Sequence, residues 1–571
     1  MASFIMTRVN IVERAYADSA VQNLVAEGYS PLLSKIFAAR GIVTKSQLEP
    51  SLTGLIPPER LTNSASMACM LADAIAAGKK MLVIGDYDSD GATATAVAVR
   101  ALRSMGAQVG FLVPNRFEYG YGLTPEIVAL AATQQPDIII TVDNGIASVE
   151  GVEAANQLGI AVLVTDHHLP GDETPQAACI VNPNQRGCDF PSKNLAGVGV
   201  VFYVMLALRA ELRARGVFQD KTEPNLTELL DLVALGTVAD LVKLDDNNRI
   251  LVEQGLRRIR AGKGCAGIRA LMRQASREPS AASAQDMGFS VGPRLNAAGR
   301  LDDMALGINC LLSDDEAEAM VIAQQLNALN LERRSIEADM QDSAILELDE
   351  IDVEGLYSIS IYQPEWHQGV IGILASRIKE KHHRPVIAFA SAGEGLLKGS
   401  GRSINGLHLR DALDLVSKKQ PGILIKFGGH AMAAGLTIRE ADFDAFRLGF
   451  ESVVASLLTP ADLDAVIEVD GNLAPEDMRW DVACAVERQV WGQGFPSPTF
   501  SDVFTVIDQR IVGERHLKLK LQKKGRMVDA IFFQQQEFLP AEIIAVYQLQ
   551  TNQFNGAQNI QLNLKYWTEA K

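Results

Sequence analysis

No stretch of this 571-residue chain stays apolar for the roughly 18–20 residues that a membrane-spanning helix needs. The longest such run, from Val198 to Leu208, is interrupted by Gly199 and stops at Arg209. The first twenty residues, MASFIMTRVNIVERAYADSA, carry charges where a secretory signal needs an unbroken apolar core. Cysteine is scarce. Cys69, Cys179, Cys188, Cys265, Cys310 and Cys484 form no C-x-x-C pair, which excludes a zinc ribbon or a disulfide framework and predicts reduced thiols in a cytoplasmic setting. There is no GxxxxGK[ST], so nothing points to ATP hydrolysis. Ala196-Gly197-Val198-Gly199 lacks the third glycine of a dinucleotide fingerprint. No period of 20–50 residues recurs, which excludes a solenoid. What is present is ordinary for a folded enzyme: 47% hydrophobic and 21% charged residues. With 53 basic against 69 acidic residues the formal net charge is −16, which argues against indiscriminate coating of nucleic acid and leaves room for a locally basic channel. At about 150 residues per domain, the length predicts three to four domains.

From about residue 80, short apolar runs alternate with helical stretches, the pattern of a mostly parallel sheet with crossover helices. The runs are Met81–Ile84, Ile138–Val142, Ile160–Val164 and a segment ending at Val238; Thr93–Leu102 and Pro125–Ala132 read as helices between them. Residues 313 to about 350 contain neither Gly nor Pro, and Ser313 with Glu316 fits a capping box. The stretch is read as a long rod joining two lobes, the alternative being a solvated surface helix. Beyond it, Tyr357–Tyr362, Pro385–Ala390 and Lys398–Ser400 predict a smaller α/β unit ending near 460. From about 500, strands such as Val503–Ile507, His516–Leu521 and Ile560–Leu564, with turn-like Lys524-Gly525 and Asn555-Gly556, predict a small β-barrel or sandwich.

Four apolar runs of the first lobe end in acids or histidines. VIG leads into Asp86-Tyr87-Asp88-Ser89-Asp90, IIITV into Asp143, VLVT into Asp166-His167-His168, and ALGTVA into Asp240. Ligands of open parallel sheets bind outside the carboxyl ends of the strands, so neighbouring strands would bring these groups into one cleft. Clustered carboxylates do not stay ionised together without a compensating cation. Oxygen-rich coordination with an imidazole and no thiolate favours Mn2+ or Mg2+ over structural zinc. Two such ions support in-line displacement at phosphorus. Each element alone is weak, because Asp at a strand end is commonly a helix N-cap; four with the same chemistry point to a metal site.

GDYDSDG at 85–91, VDNG at 142–145, TDHH at 165–168 and GTVADL at 236–241 resemble the four ordered motifs of the DHH phosphoesterase superfamily. The likeness continues through AGVGVVFY, GPRLNAAGRL, WHQGVIGILASR, GSGRSINGLHLRDAL and KFGGHAMAAG, and is similar to the RecJ-type 5′→3′ single-strand-DNA exonucleases of that superfamily over about residues 60–540. The resemblance implies an α/β fold of two lobes, a DHH lobe with a mostly parallel sheet and a DHHA1 lobe, joined by a long helix and followed by a C-terminal OB-like β-barrel. The boundaries read as 1–60 for an N-terminal segment, 61–312 catalytic, 313–350 helix, 351–460 DHHA1 and 461–571 barrel. It implies that Asp86, Asp88, Asp90, Asp143, His167 and Asp240 hold two divalent ions, Mn2+ or Mg2+, completed by Asp166 and His168. The division of ligands between the ions stays open. Asp88, Asp143, His167, His168 and Asp240 are the expected catalytic set.

In the DHHA1-like lobe Gly428-Gly429-His430 is a candidate phosphate cradle, against the simpler reading of a tight turn. Arg377, Arg402 and Ser403 are candidate phosphate contacts, and His367 either faces the cleft or packs. Arg294, Asn296 and Arg300 of the GPRLNAAGRL match are expected at a DNA-facing rim. Lys518 and Lys520 alternate with leucines on one strand face and, with Lys523, Lys524 and Arg526, form the most basic stretch. That suits tracking of a single strand, with Phe532, Phe533 and Tyr547 as stacking platforms; a lysine-guarded edge strand is the competing reading. Expected partners are single-stranded DNA and, from the resemblance, single-strand-binding protein and a RecQ-type helicase; a membrane is not expected, and the chain is read as a monomer. A phosphatase or nanoRNase of very short substrates is the alternative enzyme, disfavoured by the extra β tail, and a catalytically silent DNA-binding scaffold would have lost acids that are all present.

Overall fold

The computed structural model describes residues 9–114, 119, 122–349, 353–513, 515–554 and 557–570; the expected turn at Asn555-Gly556 lies outside them. The chain forms two compact units. Residues 13–329 together with 469–571 make the larger, and residues 330–468 with the N-terminal strand make the smaller. That strand, β1 (Val9–Glu13), pairs with β12 (Ala465–Val469).

The larger unit is built on β2 (Lys80–Gly85), β3 (Gln108–Leu112), β4 (Ile138–Val142), β5 (Ala161–Thr165) and β6 (Cys179–Val181), in the order β3-β2-β4-β5-β6. Every pairing is parallel. Runs such as IIITV are wholly buried, which is what a parallel sheet covered on both faces requires of its central strands. Helices α1 (Ser89–Ser104), α2 (Pro125–Ala132), α3 (Val149–Gln157) and α4 (Gly197–Ala214) follow or cover these strands. α1 is almost entirely buried, and its Ala, Thr and Val side chains are small enough to let neighbours approach closely. The strand order reverses between β2 and β4. In doubly wound sheets that reversal opens the crevice where ligands bind, and Asp86 and Asp143 directly follow those two strands.

The segment ending at Val238, expected as a further strand, is a helix, α5 (Leu230–Ala239), packed against α6 (Asp246–Arg260). LDLVALGTVA is buried on nearly all sides, and a run apolar on every face has no period by which strand and helix can be told apart. After α7 (Gly292–Leu301), the long helix α8 (Glu316–Asp349) begins in the larger unit and ends in the smaller. Its cap is Asp315, whose carboxylate accepts the N–H groups of Ala317 at 2.7 Å and Glu318 at 2.9 Å. The expected capping residue, Ser313, instead donates its hydroxyl to Glu318 at 2.6 Å. The helix therefore starts two residues later than expected, capped by Asp315, a residue type as good at an N-cap as serine, while the Ser313 hydroxyl accepts the Asp315 N–H at 3.2 Å.

The smaller unit carries a mixed sheet ordered β10-β11-β9-β8-β7, with β7 (Ile359–Tyr362), β8 (Val386–Gly393), β9 (Leu396–Arg402), β10 (Lys426–Gly429) and β11 (Ala433–Arg439). Only β7 and β8 run parallel. α9 (Ile371–His382), α10 (Leu409–Lys419) and α11 (Phe443–Leu457) pack on it.

The C-terminal strands β13 (Phe500–Val512), β14 (His516–Lys523), β15 (Arg526–Phe533), β16 (Glu542–Phe554) and β17 (Ala557–Glu569) close into a barrel in the order β13-β14-β15-β17-β16. β14 and β15 are joined by Lys524 and Gly525, both with left-handed φ (47° and 83°), the two-residue turn that suits the twist of a hairpin. Beneath the barrel Lys523 is buried, bonding Asp502 and the Leu473 carbonyl, while Tyr547 donates to Asp502 at 2.6 Å. Nearby, the Arg40 guanidinium grips Asp470 at 2.6 and 3.0 Å, fastening the N-terminal helices to the barrel's leading segment. Among the described residues no helix is long and apolar enough to cross a membrane.

Candidate metal centre

The acids expected at strand ends meet in the larger unit. Asp86 leaves β2, and Asp88 caps α1 by accepting the N–H groups of Asp90 and Gly91 at 2.9 and 3.0 Å. Asp143 leaves β4 with a left-handed φ of 62°, a conformation uncommon outside glycine, and its N–H donates to the Thr165 carbonyl. His167 and His168 follow β5, and Asp240 ends α5. His167 Nε2 lies 3.1 Å from Asp143, 3.5 Å from Asp240 and 3.9 Å from Asp90. Three overlapping groups have ligand atoms within 4.8 Å of one another: Asp86, Asp88 and Asp143; Asp90, His167 and Asp240; Asp143, His167 and His168.

Burial sets the electrostatics. Asp90 is pushed up to about 7 by desolvation and then by the Asp88 charge, in spite of the helix N-terminus that binds it. Asp143 and Asp240 stand well above the usual carboxylate range for the same two reasons, burial first and neighbouring aspartates second. Asp143 Oδ1 is fully buried and accepts no hydrogen bond. An acceptor-only oxygen sunk among other carboxylates, with an imidazole alongside and no thiolate, fits a hard divalent cation. In this donor set Asp143 and His167 each belong to two of the three groups, and of the two only the carboxylate has a pair of oxygens to offer two cations, so Asp143 is the natural shared ligand.

Asp166, expected among the ligands, has a different task. One oxygen accepts the Ile146 N–H at 2.9 Å; the other accepts the N–H groups of His167 and His168 and the His168 ring at 2.7 Å. Both oxygens are spent on shaping the loop. Burial alone would raise its pKa, but the His168 hydrogen bond and charge outweigh that and hold it low. His168, although desolvated, is raised to about 9 by the same bond.

Several supporting residues were not singled out from sequence. Asn144 donates to the Ile84 and Val142 carbonyls and so clamps the ends of β2 and β4 together. Asn184 and Asn182 donate to the His167 and His168 carbonyls at 2.6 and 2.9 Å, fixing the histidine loop; the V-N-P-N run at 181–184 was their only signal. Gly197 and Val198, at the start of α4, donate their N–H groups to Asp90 at 2.6 and 2.9 Å. A Cβ on Gly236 would lie 2.1 Å from Thr93 Oγ1 and 2.9 Å from Asp90 Oδ1, so only glycine lets α5 approach α1 here.

The remaining candidates divide. Asn296 accepts both the N–H and the hydroxyl of Ser89, at 2.7 and 2.9 Å, so it braces the first motif from behind and is not free to face a strand. Arg294 is turned to Asn327 at 3.0 Å and the Ser290 carbonyl at 2.6 Å. Arg300 lies one helical turn beyond Asn296 on α7, half-buried. In the smaller unit Ser403 is buried and donates to the Leu407 carbonyl at 2.8 Å, closing a turn and not presenting a hydroxyl outward. Arg377 is engaged by Glu337 at 3.0 Å and Glu380 at 3.6 Å. His367 Nδ1 accepts the Gly369 N–H at 3.1 Å, and burial lowers its pKa. Arg402 lies at the start of α9, where a Cβ on Gly372 would come 3.0 Å from its Nη2. The space over Gly428 is open, and His430 is exposed. The His430 N–H, however, donates to the Ala433 carbonyl at 2.8 Å, and Gly429 (φ 144°) lies so close to that strand that a Cβ would meet it at 2.4 Å. Part of the expected cradle is therefore a hairpin requirement.

On the barrel, leucines 517, 519 and 521 point inward and Lys518 and Lys520 outward. Lys523 and Arg526 leave the expected basic stretch: the first is buried on Asp502, the second donates to the Pro475 and Met478 carbonyls at 2.6 Å. Tyr547 is core, while Phe533 is 50% exposed and meets His516 edge-on. A cavity of about 320 Å³ lined by Tyr29, Arg249, Arg257, Arg488 and Phe495 contains none of the motif residues.

A five-stranded parallel sheet with this carboxylate and imidazole centre at its switch point defines a DHH-type protein, and residues 80–237 match the DHH family, N-terminal domain. Residues 353–456 match the DHHA1 domain and 469–566 the RecJ OB domain. The chain is 49% identical to the single-stranded-DNA-specific exonuclease RecJ of Dickeya dadantii, covering 98% of this chain and 99% of that protein. It is 50% identical to the protein of the same name from Escherichia coli over 93% and 95% of the two chains. The crystal structure of Thermus thermophilus RecJ in complex with Mn2+ superposes with a TM-score of 0.83 at 30% identity, covering 100% of this chain and 80% of that one. The chain belongs to the RecJ family.

Proposed function

We propose that this chain is a metal-dependent exonuclease that degrades single-stranded DNA from its 5′ end, releases 5′-mononucleotides and acts in DNA recombination and repair. The single observation that carries the chemistry is the meeting of five aspartates and His167 from four separate segments around the buried Oδ1 of Asp143. The substrate and the cofactor are supported by RecJ relatives named as single-stranded-DNA-specific and by RecJ structures containing Mn2+ and Mg2+. Asp86, Asp88, Asp90, Asp143, His167 and Asp240 are the proposed ligands of two divalent ions, Mn2+ or Mg2+. When bound, such ions supply charge neutralisation and Lewis acidity toward a water and a scissile phosphate. Asp166 orients His168 and keeps it charged at neutral pH, a cation available to a phosphate oxygen. The start of α4 fixes Asp90, and Asn144, Asn182 and Asn184 hold the loops, so the ligands are set before substrate arrives.

The assigned regions are 61–312 for catalysis, 313–350 for the connecting helix, 351–460 for substrate binding and 461–571 for strand tracking by the barrel. Arg402, Gly428 and His430 are the proposed phosphate contacts of the smaller unit, and Lys518 and Lys520 those of the barrel. Monomeric action in the cytoplasm beside single-strand-binding protein and a RecQ-type helicase completes the reading; six unpaired thiols are consistent with a reducing compartment. Incubation of 5′- and 3′-labelled single strands and duplexes tests polarity, strandedness and product size together. Asp88→Ala and His167→Ala should abolish cleavage without unfolding, and full metal-dependent activity in either variant would refute the ligand assignment.

A further inference from the structure

The first turn of α1 carries Asp88 and Asp90, so the way its N–H groups are satisfied bears directly on the metal centre. A helix leaves its first N–H groups without partners of its own. Asp88 takes two of them, those of Asp90 and Gly91, on the single oxygen Oδ1. The Ser89 N–H is met by a residue 207 positions along the chain, Asn296, whose Oδ1 accepts it at 2.7 Å. The Ser89 hydroxyl points at the same oxygen, 2.9 Å away, and at the Gly292 carbonyl, 3.0 Å away. α7 is shaped for this contact. Gly292, Asn296 and Gly299 are spaced i, i+4 and i+7 and so share one face of the helix. A Cβ on Gly299 would stand 1.9 Å from the Tyr87 carbonyl oxygen, so only glycine lets α7 settle on the loop between Asp86 and Asp88. One on Gly292 would lie 3.2 Å from the Ala239 Cβ, and Ala239 precedes Asp240. A single helix face thus touches two of the segments that bring ligands to the centre. Arg294, on the other side of α7, bonds Asn327 of α8 at 3.0 Å, so the brace is itself anchored.

We infer that Asn296 is a positioning residue for the divalent ions: it caps the α1 N–H group that Asp88 does not, and so lets Asp88 spend one oxygen on the helix and keep the other for a cation. Ser89 is buried, so without Asn296 its N–H loses an acceptor where water does not replace it. The turn relieves that loss either by drawing the Asp88 carboxylate further onto the N–H groups or by fraying. Both movements take Asp88 and Asp90 away from an ion. An amide adds no charge to the centre, so the effect of Asn296 is on where the ligands stand. The inference rests on the reading of Asp88 and Asp90 as metal ligands.

Calorimetric titration with Mn2+ alone, without DNA, compares the full-length wild type with Asn296→Ala, Asn296→Asp, Ser89→Ala and the Ser89→Ala, Asn296→Ala double variant, each also followed by a thermal melt. Loss of a group that orients a metal ligand typically weakens metal binding about 10- to 100-fold, and the Mn2+ Kd of Asn296→Ala should rise by that much. Asn296→Asp keeps an oxygen acceptor at the start of α1, where negative charge is favoured, and should stay within about threefold of the wild type. Ser89→Ala removes the hydroxyl but not the N–H, so it should lose less than Asn296→Ala. The double variant should bind about as Asn296→Ala does, because both changes act through one contact. A wild-type Kd in Asn296→Ala with only a lowered melt, equal losses in Asn296→Ala and Asn296→Asp, or additive losses in the double variant overturns the positioning role while leaving the metal centre intact. Failure of the wild type itself to bind Mn2+ would instead overturn the ligand reading.

Discussion

Adding one methyl group at Gly197 should disable the metal centre while leaving the protein folded. Gly197 opens α4 with its N–H donated to Asp90 at 2.6 Å, and Asp143 lies directly against its α-carbon. A Cβ there would stand 2.5 Å from the Asp143 Cβ, 2.6 Å from Oδ1 and 2.7 Å from Cγ. Comfortable carbon contacts are about 3.5–4.0 Å, so Asp143 must retreat by about 1 Å or the helix start must swing away from Asp90. Neither retreat is free: the Asp143 N–H is tied to Thr165, and the Val198 N–H also holds Asp90 at 2.9 Å. Overpacking costs about 1–3 kcal/mol, and alanine returns at most about 1 kcal/mol of helix propensity, so Gly197→Ala should lose on the order of 1–2 kcal/mol of stability. A misplacement of about 1 Å at a reacting centre costs about 100-fold in rate, and the shared position of Asp143 should also weaken Mn2+ binding. Steady-state cleavage of a labelled single strand across a Mn2+ titration, with a thermal melt of the same protein, measures both. Wild-type kcat/KM at every Mn2+ concentration, with an unchanged melt, would refute the placement of Asp143 at the ions.

Metal removal should expose the crowding of carboxylates. Without ions, burial and neighbouring charge raise Asp90 to about 7 and Asp143 and Asp240 well above the usual range, so each binds its proton more tightly folded than unfolded. The stabilisation from Asp90 is present below about pH 4 and is lost as pH rises through about 7, and those of Asp143 and Asp240 are lost in the same direction; His168, raised to about 9, also loses its contribution as pH rises. EDTA-treated protein should therefore melt lower at pH 8 than at pH 6, and Mn2+ should raise Tm more at pH 8; equal shifts at both pH values would contradict the clustering. In the barrel, Lys523→Ala strands Asp502 in the interior and should cost about 3–5 kcal/mol by denaturant titration, and a loss under about 1 kcal/mol would mean the pair is solvated. Lys518→Ala with Lys520→Ala should leave turnover of bound strand unchanged but flatten the salt dependence of single-strand affinity by about 1.4 in log–log slope; an unchanged slope would show that this face does not meet phosphates.

Periodicity carried most of the fold and failed where period was absent. Strands with polar flanks, such as Ile138–Val142, and the helix Pro125–Ala132 with its Thr124 cap, stand where their patterns put them. The leucine–lysine alternation at 516–521 marks inside and outside of the barrel wall residue by residue. LDLVALGTVA has no such alternation, and only tertiary packing decides that it is helical. Lys523 and Arg526 show the same limit for charge: a basic run looks solvated in one dimension, but the buried carboxylate and the carbonyls that claim these two lie up to 51 residues away.

Within the centre, residue type predicts membership better than role. Asp86, Asp88, Asp143 and Asp166 all follow β-strands or begin turns, and their sequence surroundings are alike; what separates them is how many N–H groups point at each carboxylate. Asp166 receives three backbone N–H groups and an imidazole, so both of its oxygens already serve donors. Asp88 receives two on one oxygen and keeps the other, and Asp143 Oδ1 receives none. The number of donors each carboxylate already serves therefore orders these acids from scaffold to ligand. On that ordering Asp166→Asn, which replaces one of two accepting oxygens by an amide donor and removes the charge that holds His168, should still weaken Mn2+ binding far less than Asp143→Asn does. Parallel Mn2+ titrations of the two variants by calorimetry measure the difference, and equal losses of affinity would show that donor count does not assign the roles.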